Sequence, residues 1–336
     1  MGKIRVFEAF AGYGSQSLAL SRLRDVFSSF DYEVVGISEI DRFAIKAYNA
    51  LHCNVVNYGD IEKIDWSIVP DFDLFTYSFP CTDISSAGER MGFEEGSGTR
   101  SSLLWECRKA IIAKKPKYLL MENVVDIVSA KFRPLYSKWA RELEGYGYKN
   151  YPAILDARDF GIPQSRKRVF LVSVLGDEVY HFPKPIKVGG IDGFLEDMVN
   201  ENYYFSDDKL KKISIPSVSK CHCALISVNP FSRKMEFDAN SSLKAVCPTL
   251  RATDYKGPHV VWESFNPLRI RKLTPKEYFR FMGVNDEDID KIQAAGISAS
   301  QQYKMAGNSI CVDVLFHIFR KMFCEKECEQ KQLTLF

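Results

Sequence analysis

Three groups of side chains in this sequence have the type and spacing to do chemistry: a cysteine behind a proline, a carboxylate, and two alternating arginines. The cysteine, Cys81, closes the run Ser78-Phe79-Pro80-Cys81 directly after Asp73-Leu74-Phe75-Thr76-Tyr77, which reads as a short buried strand. Proline has no N–H for a strand ladder, so the chain must turn there and hand the thiol to a loop. Residues 82–100 are polar and contain Gly88, Gly92, Gly96 and Gly98, the composition of a mobile flap. A thiol at a strand's carboxyl end beneath a flap suits a nucleophile. Taken alone, a cysteine is more often a small core hydrophobe. The carboxylate is Glu122 in Glu122-Asn123-Val124, behind the strand Tyr118-Leu119-Leu120-Met121. Open α/β sheets build sites at the carboxyl edge, so Cys81 and Glu122 are expected in one crevice. Gln164, Arg166 and Arg168 alternate along an extended segment and should project to one side. As charges, Arg166 and Arg168 fit a solvated surface equally well.

These residues need a sheet to hold them. Residues 4–10 read as a strand, and Ala11-Gly12-Tyr13-Gly14 as a tight turn into a helix capped by Ser15 or Ser17. A second strand at 33–39 ends in the acid Glu39, placed to take two ribose hydroxyls. The third glycine of a dinucleotide fingerprint is missing, so a plain turn explains Gly12 and Gly14 as well. Helices are expected at 43–51, at 133–145 and on the face of Leu103, Leu104, Cys107, Ala110 and Ile111, with further strands at 151–156 and 169–174. From 177 to 263 the periodicity fades among prolines and short aromatic pieces, as in a loop-rich inserted module. Regularity returns with Thr274-Pro275-Lys276-Glu277, a helix start with proline at its first position, and with an amphipathic helix at 310–323.

With 336 residues the chain can build one large core and a smaller domain. No apolar run reaches the roughly 18 residues a membrane span needs. The opening Met1-Gly2-Lys3-Ile4-Arg5-Val6 runs straight into a strand, so no cleavable leader is expected. Nine irregularly spaced cysteines fit free thiols in a reducing cytoplasm. Cys221-His222-Cys223 lacks a second pair at zinc-site spacing, and no metal is expected. The formal net charge of +2 neither requires nor excludes nucleic acid, which needs only a local basic face.

In this order the motifs resemble those of C5-cytosine DNA methyltransferases of the bacterial or phage type. Phe10-Ala11-Gly12-Tyr13-Gly14 resembles that family's first motif and Phe79-Pro80-Cys81 its catalytic one. Glu122-Asn123-Val124 and Gln164-Ser165-Arg166-Lys167-Arg168 follow. Arg271-Lys272-Leu273-Thr274-Pro275-Lys276-Glu277 and Gly307-Asn308-Ser309 close the set. The resemblance implies a Rossmann-like α/β sheet dependent on S-adenosylmethionine, with a small, loop-rich target-recognition domain inserted. The expected division is 1–176 for catalysis and cofactor, 177–263 for target recognition, 264–323 for the return to the catalytic domain and 324–336 for a flexible tail. It also implies transfer of methyl from S-adenosylmethionine to C5 of a cytosine flipped out of double-stranded DNA, through a covalent adduct of Cys81 with C6. Glu122 would bind N3, and Arg166 and Arg168 the O2 edge and nearby backbone. Residues 82–100 would close as a lid. Phe10, Gly12, Tyr13, Gly14, Glu39, Asp60, Pro80 and Asn308 would line the cofactor site, with Asn308 returning beside the first glycine turn.

The sequence departs from the family pattern at Thr82, where glutamine is usual, at Glu8 for aspartate, and at Ile40 for an aromatic. Cys247-Pro248-Thr249-Leu250 resembles the Thr-Leu pair of the recognition region. The closing Gln332-Leu333-Thr334-Leu335-Phe336 resembles the peptide by which bacterial proteins dock on the replication sliding clamp, with Gln332, Leu333, Leu335 and Phe336 as contacts; a frayed terminus is the alternative. A monomer in the bacterial cytoplasm, associated with the nucleoid, is expected. The rival substrate is transfer RNA, methylated by one branch of the family, and the inserted module favours DNA. A non-catalytic DNA-binding regulator would have no need of Cys81, Glu122 and Arg168.

Overall fold

The computed structural model describes residues 2–52, 55–85, 91–186, 189–213, 225–227, 229–230 and 244–325. Cys221-His222-Cys223 and the clamp-like Gln332, Leu333, Leu335 and Phe336 lie outside the described residues. The chain divides into two compact units: Met1–Leu155, Lys167–Lys184 and the chain from Val314, and Asp156–Arg166 with Pro185–Asp313. Among the described residues no helix is long and apolar enough to cross a membrane.

The first unit carries a six-stranded sheet of β1 (Ile4–Ala9), β2 (Tyr32–Ser38), β3 (Leu74–Tyr77), β4 (Tyr118–Val124), β5 (Tyr148–Asp156) and β6 (Lys167–Leu175). The strand order is β2-β1-β3-β4-β6-β5. β1 runs parallel to β2 and β3, and β3 parallel to β4, while β6 is antiparallel to β4. Parallel strands are covered on both faces and read as unbroken apolar runs, and all four residues of β3 are buried. Four helices accompany the strands: α1 (Ser15–Val26), α2 (Arg42–Leu51), α3 (Leu104–Lys114) and α4 (Arg133–Gly145). Phe7, Trp66, Phe75, Tyr77, Trp105 and Trp139 belong to one core, with Phe7 edge-on to Trp66 at 5.1 Å and Trp105 to Trp139 at 5.6 Å.

The second unit contains the one-turn α5 (Asp207–Leu210) and a three-stranded antiparallel sheet, β7 (Leu225–Ser227), β8 (Val260–Phe265) and β9 (Leu268–Lys272). Trp262 is fully buried in its core with Phe205, Leu225 and Ile270. α6 (Pro275–Arg280) starts on a capping box in which Thr274 and Glu277 satisfy each other's backbone, as its sequence predicts. α7 (Asp286–Ala294) and α8 (Ala299–Asn308) follow. The last helix, α9 (Val312–Phe323), belongs to the first unit from Val314, where Phe323 stacks on Phe30 at 5.5 Å.

Three expectations are corrected. A boundary at 263/264 would cut strand β8, which is zipped to β9; the whole stretch to Asp313 falls in the second unit. No serine caps α1. Gly14 is its N-cap, with φ +87°, and a Cβ there would sit 2.4 Å from His52 Nε2. Residues 92–100 are tied down rather than loose: Phe93 is fully buried between Phe79 and Phe132, and its carbonyl accepts Trp105 Nε1–H at 2.7 Å. Glu95 adds ion pairs to Arg108 and to Lys138. A single core phenylalanine outweighs the polar composition around it.

Candidate active site

The register of the sheet brings the chemistry together. Tyr77, the last residue of β3, pairs with Met121 of β4, so the chain leaves β3 toward Cys81 beside Glu122, the next residue of β4. Asn123 Nδ2 donates to Phe79 O at 3.1 Å and ties the two exits together. Cys81 is half-buried, and its carbonyl accepts the N–H groups of Ile84 at 3.1 Å and Ser85 at 2.9 Å, closing a tight turn just after the thiol. Glu122 is buried, and Arg168 Nε lies 3.2 Å from its Oε1 because Arg168 stands opposite Val124 on the antiparallel β6. The antiparallel crossing of β6 is what delivers this arginine to the carboxylate.

Gln164 and Arg166 both bond Leu250, while Arg168 meets Glu122, and the surface reading is excluded for the first two: their exposures are 0 % and 3 %. Within the second unit, Arg166 donates to Leu250 O at 2.7 Å, Gly307 O at 3.0 Å and Ser309 O at 2.6 Å. Gln164 Oε1 accepts Leu250 N–H at 3.2 Å, and its Nε2 donates to Phe281 O at 2.7 Å. Residues 163–165 also pair with Cys247 through backbone bonds of 2.8 Å, and Thr249 Oγ1 donates to Ser165 O. The Thr-Leu segment is thus bound to the basic motif more than 80 residues earlier. Asn308 is exposed at the end of α8, beside carbonyls that Arg166 holds. Gly307 lies so close to the backbone that a Cβ would be 2.2 Å from Arg251 C.

The glycine turn of the first unit has its own anchor. Glu39 Oε2 accepts Gly12 N–H at 2.8 Å, and Oε1 accepts the N–H groups of Ile40 and Asp41 at 2.8 Å. Phe10 is half-buried with φ +56°, a conformation rare outside glycine, and Tyr13 is buried. Pro80 and Asp60 are half-buried, and Asp60 accepts Glu62 N–H at 3.2 Å at the start of a short helical turn. Below the turn, buried Glu8 accepts Ser17 Oγ–H at 2.8 Å and Tyr48 O–H at 3.2 Å. Burial pushes its carboxyl up to about 7, against the opposing pull of those two hydrogen bonds.

These residues fit a nucleoside-bearing methyl donor. A carboxylate offers about four lone-pair sites, and the three donors on Glu39 leave room for a ribose hydroxyl. Nothing lies within 4 Å of where a Gly12 side chain would project, so that face of the turn is open.

Sequence reasoning missed Asn57, whose side chain bonds the backbone of Glu39 at both N–H and C=O (3.1 and 3.0 Å) and Gly59 N–H at 3.0 Å. It also missed Ser101 and Asp83, which hold the turn at Cys81. Nothing local marks Asn57 or Ser101. Glu8 carries a signal, an acid in an otherwise apolar strand end.

An open, mostly parallel α/β sheet with a thiol, a carboxylate and a guanidinium at its carboxyl edge is of the Rossmann-like class, with its candidate site where such sheets bind ligands. A family model for C-5 cytosine-specific DNA methylase matches residues 4–324. The chain belongs to that family and is a DNA (cytosine-5-)-methyltransferase, an enzyme that requires a methyl donor. The Type II methyltransferase M2.ScrFI of Lactococcus lactis subsp. cremoris is 36% identical, covering 95% of this chain and 99% of that protein. The Type II methyltransferase M.NlaX of Neisseria lactamica is 32% identical, covering 95% and 96%. The fold matches the Entamoeba histolytica methyltransferase EhMeth with a TM-score of 0.74 at 19% identity, covering 97% of this chain and 99% of that one.

Proposed function

We propose that this enzyme methylates C5 of cytosine in a specific sequence of double-stranded DNA, with S-adenosylmethionine as methyl donor. The observation that carries the reading is the convergence of Cys81, Glu122 and Arg168 at one sheet edge, in the first unit. Cytosine C5 is a poor nucleophile. Cys81 as thiolate adds to C6, which makes C5 enamine-like, and leaves again once the C5 proton is lost. Glu122 holds N3 and draws electrons from the ring while that bond forms. Arg168, beside it, holds the O2 edge as a fork donor. Arg166, with three carbonyls on its guanidinium, acts instead by fixing Leu250 and the turn at Asn308. Bound S-adenosylmethionine supplies an electrophilic methyl group. Glu39 takes its ribose, Asp60 its adenine amino group, and Phe10, Gly12, Tyr13, Gly14 and Pro80 its remaining contacts.

A base within a stacked duplex cannot reach Cys81, so the cytosine must be flipped out. The second unit, with its small sheet, is the proposed target-recognition module. Relatives named as type II methyltransferases support a restriction-modification setting, and the bacterial cytoplasm, where Cys81 stays reduced, is the proposed compartment. The enzyme is proposed to act as a monomer. On its sequence alone the tail through Phe336 is proposed to dock on the sliding clamp; deleting residues 332–336 should abolish that binding and spare methyl transfer.

The test is tritium transfer from labelled S-adenosylmethionine to mixed-sequence duplex DNA, with Cys81→Ser alongside. Label in 5-methylcytosine that vanishes in the variant is expected. Label in transfer RNA and none in DNA would replace the substrate.

A further inference from the structure

The three carbonyls that lead through the nucleophile are each bound by a specific donor. Asn123 Nδ2 holds Phe79 O at 3.1 Å, Ser101 Oγ holds Pro80 O at 2.6 Å, and Ile84 and Ser85 N–H hold Cys81 O. Ser101 is fully buried in the short turn Arg100–Leu103 that leads into α3. Its single proton goes to Pro80 O, and its oxygen accepts Asp83 N–H at 3.2 Å. In return, Asp83 Oδ2 accepts Ser101 N–H at 3.0 Å and Thr82 Oγ1–H at 3.2 Å. The residues before and after Cys81 are therefore locked to one reciprocal Asp83–Ser101 pair. Thr82, where the family usually carries glutamine, directs its hydroxyl into this lock.

We infer that Ser101, with Asp83, is a positioning residue of the reaction: it fixes the Pro80–Cys81 turn so that the thiolate meets C6 at the attack geometry. The inference rests on the reading of Cys81 as nucleophile. Neither residue touches the base or the donor; both act through the backbone of Pro80 and residues 82–83. Ser101→Ala leaves Pro80 O without its buried donor and frees the turn. Because reacting atoms must meet within a few tenths of an ångström, such loosening costs roughly 10²-fold in rate while ground-state binding stays.

The experiment measures kcat and KM for duplex DNA and for S-adenosylmethionine in wild type, Ser101→Ala, Asp83→Ala, Asp83→Asn and Cys81→Ser. It also follows the rate of covalent trapping on duplex DNA containing 5-fluorocytosine. Expected is a fall in kcat of about 10²-fold in Ser101→Ala, with both KM values within about twofold and trapping slowed in parallel. Asp83→Asn, which keeps an acceptor oxygen, should recover most of the rate lost in Asp83→Ala. That pair decides the matter should Ser101→Ala fail to fold, since Asp83 is only half-buried. Full kcat in both alanine variants, or loss confined to KM, overturns the inference while an inactive Cys81→Ser keeps the nucleophile. An active Cys81→Ser overturns both.

Discussion

At the scale of single residues, side chains of one type divide sharply by what they touch. Arg166 and Arg168 sit two apart, yet one is consumed by three backbone carbonyls and the other faces Glu122. Lysine cannot reproduce a planar fork, so Arg166→Lys leaves at least two buried carbonyls unpaired. At about 1–3 kcal/mol for each lost partner, that variant should lose roughly 2–6 kcal/mol of stability by denaturant titration. Arg168→Lys, with one ion pair to Glu122 and one exposed hydrogen bond to Lys167 O at stake, should keep its stability and lose activity in the methyl-transfer assay. Equal loss of stability in both would contradict this division of labour. The positions of Cys81 and Glu122 beside each other at the sheet's carboxyl edge were legible in the sequence because proline punctuation and strand ends mark such places locally. Ser101 and Asn57 were not, because what they hold lies about 20 residues away and no local pattern records a contact of that range.

At the scale of elements, the strands and helices that position the site follow from periodicity and caps. α4 spans Arg133–Gly145 with proline in its first turn, and α6 opens on Thr274-Pro275 with Glu277 closing the box. The 92–100 end of the expected flap was misread because composition averages over residues, whereas one aromatic decides the packing. Phe93→Ala removes a ring from the core and should cost about 3–5 kcal/mol, seen as a lowered thermal midpoint; an unchanged midpoint would mean the stretch is loose after all. Gly307→Ala drives a methyl into the backbone at Arg251. Overpacking of this kind costs about 1–3 kcal/mol, and the same melt should register it. The pairing of Gln164–Arg166 with Cys247–Leu250 was illegible for a topological reason: it joins segments separated by the whole irregular module.

At the scale of the whole molecule, burial of Glu8 couples folding to pH. Its carboxyl is raised to about 7 when folded from an ordinary value of 4.5. The folded state thus keeps a proton that the unfolded chain has released between those values. The contribution to stability is full below about pH 4.5 and is lost as pH rises to about 7. Glu8→Gln removes this dependence, so the variant should melt higher than wild type at pH 8 and lose its advantage near pH 5. An identical pH dependence in both proteins would contradict the assignment. The central claim, that this chain attacks cytosine through Cys81, is tested most directly by incubation with S-adenosylmethionine and duplex DNA carrying 5-fluorocytosine. Fluorine cannot leave C5 as a proton does, so the thioether bond persists. A protein–DNA band that survives denaturation in wild type and is absent in Cys81→Ser is the predicted result. Methylated DNA formed with no such band, or an equal band in Cys81→Ser, would contradict it.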